Sequence, residues 1–194
     1  MIAIIDYGAG NVKSVYNALN RLGAESAITS DSSEIRSADK VIFPGVGHAK
    51  PAMEKLQESG LDAVIKELNQ PVLGICLGMQ LMCSHSDEGD VCGLGIFTER
   101  VKKFEGDIRI PHMGWNELVG PKGSLFKGIE DRANVYFVHS YFVEMGSQSS
   151  AASDYLISFS AAVEEKNFYG VQFHPEKSGE IGSKILSNFL SMKP

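Results

Sequence analysis

Apolar positions along the 194-residue chain change period several times, and each change marks an element. "MIAII" is an unbroken apolar run closed by Asp6, which predicts a buried strand and then a turn at "DYGAGN". Val12, Val15, Tyr16, Leu19 and Leu22 follow at helical spacing, with Gly23 placed to end the helix. "KVIFPGVG" predicts a second strand running into a glycine-rich loop, and Met53, Leu56, Leu61, Val64, Ile65 and Leu68 mark helix around Gly60. "PVLGI" predicts a third strand, opened by Pro71, with a helix after Cys76. Strand alternating with helix over this first half implies a parallel sheet covered on both faces.

The second half carries another rhythm. "GLGIFTERVKKFEG", "NVYFVHSYFVE", "YLISFSAAVE" and "NFYGVQFHP" read as short strands with few helices between them, which predicts antiparallel additions at one edge. Ile181, Ile185, Leu186, Phe189 and Leu190 form a last amphipathic helix. "EMGSQSSAASD" is small and polar and reads as an exposed loop. With no internal repeat and no long linker, the expectation is a single α/β domain over residues 1–194: an open, mainly parallel sheet with helices on both faces and added antiparallel strands.

Composition narrows the function classes. The chain is 43% hydrophobic and 22% charged, ordinary for a globular protein, and its net charge of −6 speaks against nucleic acid or an anionic membrane surface as partner. The short basic runs "ERVKKF" and "KNFYG" read as solvated surface. "MIAII" is too short for a secretory core, no run reaches the ~20 apolar residues of a membrane span, and three unspaced cysteines suit a reducing compartment. The expected location is therefore the cytoplasm.

Glycine patterns supply candidates of unequal weight. "GAGNVK" (8–13) resembles a dinucleotide fingerprint, but Lys13 stands where close helix–sheet packing needs glycine, so a tight turn is preferred. Gly74-Ile75-Cys76-Leu77-Gly78 has the form of a nucleophile elbow with cysteine in place of serine. Such a turn would raise the thiol at a helix N-terminus, where the thiolate is favoured, and aim the Leu77 N–H at a developing oxyanion. A buried structural cysteine is the competing reading. Of five histidines, His174 has the best context for a base. Pro175 holds it extended, and Glu176 lies two residues on, on the same side. Nucleophile, base and orienter make a generalised triad. Cys83 reads as a small core residue and Cys92 as an edge thiol. No set of side chains has metal-ligand spacing, and no cofactor motif is read.

With these motifs in place the chain resembles the triad-type, class I, glutamine amidotransferases along nearly its whole length: "IIDYGAGN", "FPGVGHAKPAM", "LGICLGMQLM", "GLGIF", "PHMGWNEL", "YFVHSYF" and "GVQFHPEKSG". The resemblance implies that Cys76 attacks the side-chain amide of glutamine, His174 shuttles the proton and Glu176 orients His174. It implies an oxyanion hole from the Leu77 N–H and one in "PGVG", at Gly47, in a loop that can stay misaligned until a partner signals. Gln80, Glu88 and the backbone around Ser140, Tyr141 and Phe142 would hold the substrate. The resemblance further implies a glutaminase subunit that passes ammonia to a (βα)8-barrel cyclase, with Trp115 and Asn11 of the "GAGN" turn as interface candidates. Read from residues alone, "PHMGWN" is only a loop carrying the single tryptophan, and a core position for Trp115 stays equally open. Rival readings are a glutaminase subunit serving pyridoxal phosphate or anthranilate synthesis, a stand-alone cysteine hydrolase of γ-glutamyl or peptide bonds, and a regulatory binding protein without turnover.

Overall fold

Every residue of the first strand is buried, as its unbroken apolar pattern requires of a strand covered on two faces. In the computed structural model, which describes residues 1–107 and 109–193, the alternating half comprises β1 (Ile2–Ile5), α1 (Val12–Arg21), β2 (Ser26–Thr29), α2 (Ser32–Ser37), β3 (Lys40–Gly45), α3 (Ala49–Ser59), α4 (Leu61–Lys66), β4 (Val72–Cys76) and α5 (Leu77–Met82). The strand-rich half comprises β5 (His85–Ser86), β6 (Val91–Cys92), β7 (Arg100–Lys103), β8 (His112–Glu117), β9 (Asn134–His139), β10 (Tyr141–Val143), β11 (Ser149–Tyr155), β12 (Ile157–Glu165) and β13 (Phe168–Val171), and α6 (Gly179–Leu190) closes the chain.

One large sheet runs β2-β1-β3-β4-β13-β12-β10-β7-β5-β6, with β11 paired on β12. Its first five strands are mutually parallel. From β13 onward the pairs turn antiparallel, apart from β5 with β7. Successive residues of β1 feed opposite cores. Ala3 and Ile5 pack with Met53, Leu56 and Ile65 of α3 and α4 on one face. Ile2 and Ile4 pack with Leu19 of α1 and Ile185 and Phe189 of α6 on the other. The separate ribbon β8-β9 joins that second core through Val135 and Phe137.

Four departures from the sequence reading have physical causes. Strand β2 and helix α2 lack an apolar run: β2 is an edge strand with only Thr29 buried, and α2 buries only Ile35. Residues 149–154 of the expected loop fall in β11, where Ser149, Ser150 and Ser153 are buried. Their hydroxyls are small enough for the pleat, and Ser149 Oγ meets Ser160 Oγ at 2.7 Å. "PHMGWN" is no loop, because His112 to Glu117 form a strand in register with β9. "ERVKKF" and "KNFYG" are only partly solvated, since Glu99, Val101, Phe104 and Phe168 are buried.

Candidate active site

Cys76 is the last residue of β4 and the cap of α5, with φ 54° and ψ −109°. That left-handed backbone in a non-glycine residue costs about 1–3 kcal/mol and is held only by surrounding packing. The flanking glycines make it possible. A Cβ on Gly78 would collide with the Phe43 carbonyl oxygen of β3, and one on Gly74 with the Met82 side chain and, at 2.8 Å, the Met79 nitrogen. Strand, turn and helix therefore approach more closely than any other residue type allows.

His174 follows β13 and is sewn onto the β8-β9 ribbon. Its N–H donates to the Tyr136 carbonyl at 2.9 Å. The Ser178 hydroxyl donates to the His174 carbonyl at 2.7 Å and accepts from the Tyr136 N–H at 3.0 Å. The imidazole Nδ1 lies 2.8 Å from Glu176 Oε1, and both side chains are almost wholly buried. Nε2 has no hydrogen-bond partner among the described residues. Burial works against the imidazolium, but the Cys76 side chain and the Glu176 carboxylate outweigh it, and the His174 pKa is pushed up to about 10. A protonated His174 sets a positive charge beside the Cys76 side chain.

Cys76 and His174 line one cavity of about 290 Å³ with Gly47, Gln80, Glu88, Ser140 and Tyr141. Gly47 has φ 107° in the loop after β3, a conformation open to glycine. Leu77 opens α5 directly after Cys76. Gln80 Nε2 donates to the Tyr141 carbonyl and to Gln172 Oε1, both at 2.9 Å. Glu88 Oε2 accepts from the Ala49 N–H at 2.8 Å, so this carboxylate caps α3, whose cap residue His48 offers no side-chain bond. Phe142 is not a wall of the cavity: its ring packs in the core 4.6 Å from Phe104. Asn11 accepts from the Ser14 N–H and caps α1, beside a narrow cleft it shares with His174 and Glu176. Trp115 is 58% exposed, so it is not a core residue. Cys83 is fully buried and its thiol pKa is raised by burial, whereas Cys92 is exposed. Among the described residues, no three His, Cys, Asp or Glu side chains converge to hold a metal.

The structure adds residues that the motifs did not single out. Val46, Pro111, Val138, His139 and Lys177 also line the cavity, and Gln172 donates from Nε2 to Cys76 Sγ at 3.6 Å. Gln172 had one available signal: two residues before His174 on an extended segment, it shares that residue's side of the chain.

A cysteine on a strand-to-helix elbow shares one cavity with His174 of a buried His–Glu pair, on a mainly parallel α/β sheet. Residues 3–192 match the family model for class-I glutamine amidotransferases, and the chain belongs to that family. Among curated relatives, the imidazole glycerol phosphate synthase subunit HisH of Bacteroides fragilis is 55% identical over 98% of this chain and 99% of its own. The Haemophilus influenzae subunit of the same name is 48% identical over 100% of this chain and 98% of its own. Solved structures agree on the fold. PurLQS from Thermotoga maritima superposes with a TM-score of 0.73 at 20% identity, covering 97% of this chain and 96% of that one. A glutamine amidotransferase from the same organism gives 0.63 at 15%, covering 97% and 81%. No helix among the described residues is long and apolar enough to cross a membrane.

Proposed function

We propose that this chain is the glutaminase subunit of an imidazole glycerol phosphate synthase. The observation that carries the proposal is 46–55% identity, end to end, with curated subunits of that name. In this reading Cys76 Sγ attacks the side-chain carbonyl carbon of glutamine. The C–N bond breaks as His174 Nε2 hands its proton to the departing ammonia, leaving a γ-glutamyl thioester. Water then adds to the thioester with His174 as base, the C–S bond breaks, glutamate leaves and Cys76 is regenerated. Glu176 holds the imidazole in orientation throughout. The N–H groups of Leu77 and Gly47 receive the oxyanion, and losing one such donor typically costs ~10²–10³ in rate. Gln80, Glu88 and the Ser140–Tyr141 backbone clamp the substrate.

Ammonia must reach its acceptor before bulk water protonates it. The acceptor is a (βα)8-barrel cyclase subunit, which uses the ammonia to make imidazole glycerol phosphate and an aminoimidazole carboxamide ribonucleotide in histidine biosynthesis. The setting is the cytoplasm. Exposed Trp115 and Met113, beside Tyr136 with its ring 6.1 Å from Trp115, supply an apolar docking face for that subunit.

The deciding experiment measures glutamate release from glutamine by the purified chain alone, with the cyclase subunit, and with cyclase plus its nucleotide substrate. Little release alone and a large rise in the complete mixture is expected. Full activity alone, unaffected by either addition, would replace this proposal with an independent hydrolase. Cys76→Ala should reduce release to background while cyclase binding, followed by co-elution, persists.

A further inference from the structure

His112, His139 and Gln172 are buried polar residues that the reaction just described does not use. Together they form one continuous hydrogen-bonded line ending at the nucleophile. Asn116 Nδ2 lies 3.3 Å from His112 Nε2, His112 Nδ1 lies 3.0 Å from His139 Nε2, and His139 Nδ1 lies 2.8 Å from the Tyr141 carbonyl oxygen. Gln80 and Gln172 continue the line from that carbonyl to Cys76 Sγ.

The direction of every bond is fixed by chemistry. A carbonyl oxygen only accepts, so His139 Nδ1 carries the proton and its Nε2, in the neutral ring, accepts. His112 Nδ1 must then donate, which leaves His112 Nε2 to accept from the Asn116 amide. The same Tyr141 oxygen forces Gln80 to present its NH₂, because a flipped amide would set oxygen against oxygen. The second Gln80 N–H goes to Gln172 Oε1, so the Gln172 NH₂ is left facing the sulfur. Cys76 thus meets partners of opposite sense: the Val138 carbonyl at 4.0 Å can accept only from a thiol, whereas the Gln172 N–H rewards a thiolate, and charge-assisted bonds are the stronger kind.

Resting on the glutaminase reading, we infer that Gln172 is a positioning residue that holds Cys76 Sγ as the thiolate, its donor polarity set through Gln80 by the Tyr141 carbonyl, which the His112–His139 pair holds in place. Neutral histidines are what the line requires, and burial lowers the pKa of His112 to about 4 and of His139 to about 3. The ionisable side chains around the sulfur are His174, Tyr7, whose hydroxyl is buried without a partner among the described residues, and the cavity residues Glu88, His139, Tyr141 and Lys177. None of them changes in the variants below.

The test is the pH profile of Cys76 alkylation by iodoacetamide, in a background where Cys83 and Cys92 are serine, read by mass spectrometry with no need for turnover. Gln172→Met keeps the length and removes the donor. Its profile should move upward by about one pH unit, and kcat in the cyclase complex should fall about tenfold with KM for glutamine little changed. Gln172→Glu still accepts from Gln80 but turns a carboxylate toward the sulfur, so it should move the profile at least as far. His112→Phe keeps the ring stacking and breaks the line at its far end, and should move the profile in the same direction by less. Profiles of Gln172→Met and Gln172→Glu that superimpose on the parent would overturn the inference, as would a KM effect without a kcat effect. Absence of glutaminase activity in the parent complex would sink the functional proposal instead, while the alkylation profiles would still decide the role of Gln172.

Discussion

At the scale of single residues, the candidate site is organised around positions where a side chain is impossible. Gly78 is the clearest. Its missing Cβ is what lets the start of α5 lie on the Phe43 carbonyl. Gly78→Ala must separate backbone from backbone, for which overpacking costs of about 1–3 kcal/mol or somewhat more are expected, with loss of the elbow geometry. Gly23→Ala is the informative contrast. Gly23 also has positive φ, at 72°, but nothing lies within 4 Å of its added Cβ. It should cost only about 1 kcal/mol, from backbone strain alone. Urea-unfolding midpoints of the two variants would separate steric from conformational need. This part of the site was legible in the sequence because an elbow needs small residues at fixed offsets. Gln172 was not, because its meaning depends on Gln80, 92 positions away in the chain.

At the scale of elements, legibility followed how much apolar surface each one buries. β1, β3 and β4, each buried along its length, and the amphipathic α1 and α6 were readable from their patterns. β2, α2 and β11 were not, since they are short or built from serine and alanine and owe their conformation to neighbours. The strand β8 was hidden by its own alternation. His112 points inward among aromatic rings while Met113 and Trp115, 54% and 58% exposed, point out, so an inward polar residue and outward apolar ones invert the usual pattern. That inversion suits the docking role proposed for this strand. Trp115→Ala should therefore leave the thermal midpoint nearly unchanged, within about 0.5 kcal/mol of stability, yet weaken cyclase binding by about 2 kcal/mol or more. Titration calorimetry beside a melting curve checks both halves, and a destabilised monomer would show Trp115 to be structural.

At the scale of the whole molecule, the buried histidines make stability depend on pH from both sides. In the unfolded chain each titrates near 6.5. His112 and His139 fold as neutral rings with pKa values lowered by burial to about 4 and about 3. Below pH ~6.5 the unfolded state binds protons that the folded state refuses, so stability declines as pH falls through this window. His174 acts in the opposite sense. Its pKa is raised to about 10, so its contribution is complete below about 6.5 and is lost as pH rises toward 10. Stability should peak close to neutrality, with an acid limb set by the His112–His139 pair and an alkaline limb set by His174 and, above the ordinary thiol range, by the buried Cys83 thiol, whose pKa burial also raises. The limbs can be separated by substitution. Cys76→Ala removes a group that raises His174 and should flatten the alkaline limb while leaving the acid limb intact. His112→Phe removes one of the two acid-limb rings and should flatten that limb only. Urea midpoints measured from about pH 4 to about pH 10 would show this, and an alkaline limb unchanged in Cys76→Ala would mean that the sulfur and His174 do not share a charge in the folded protein.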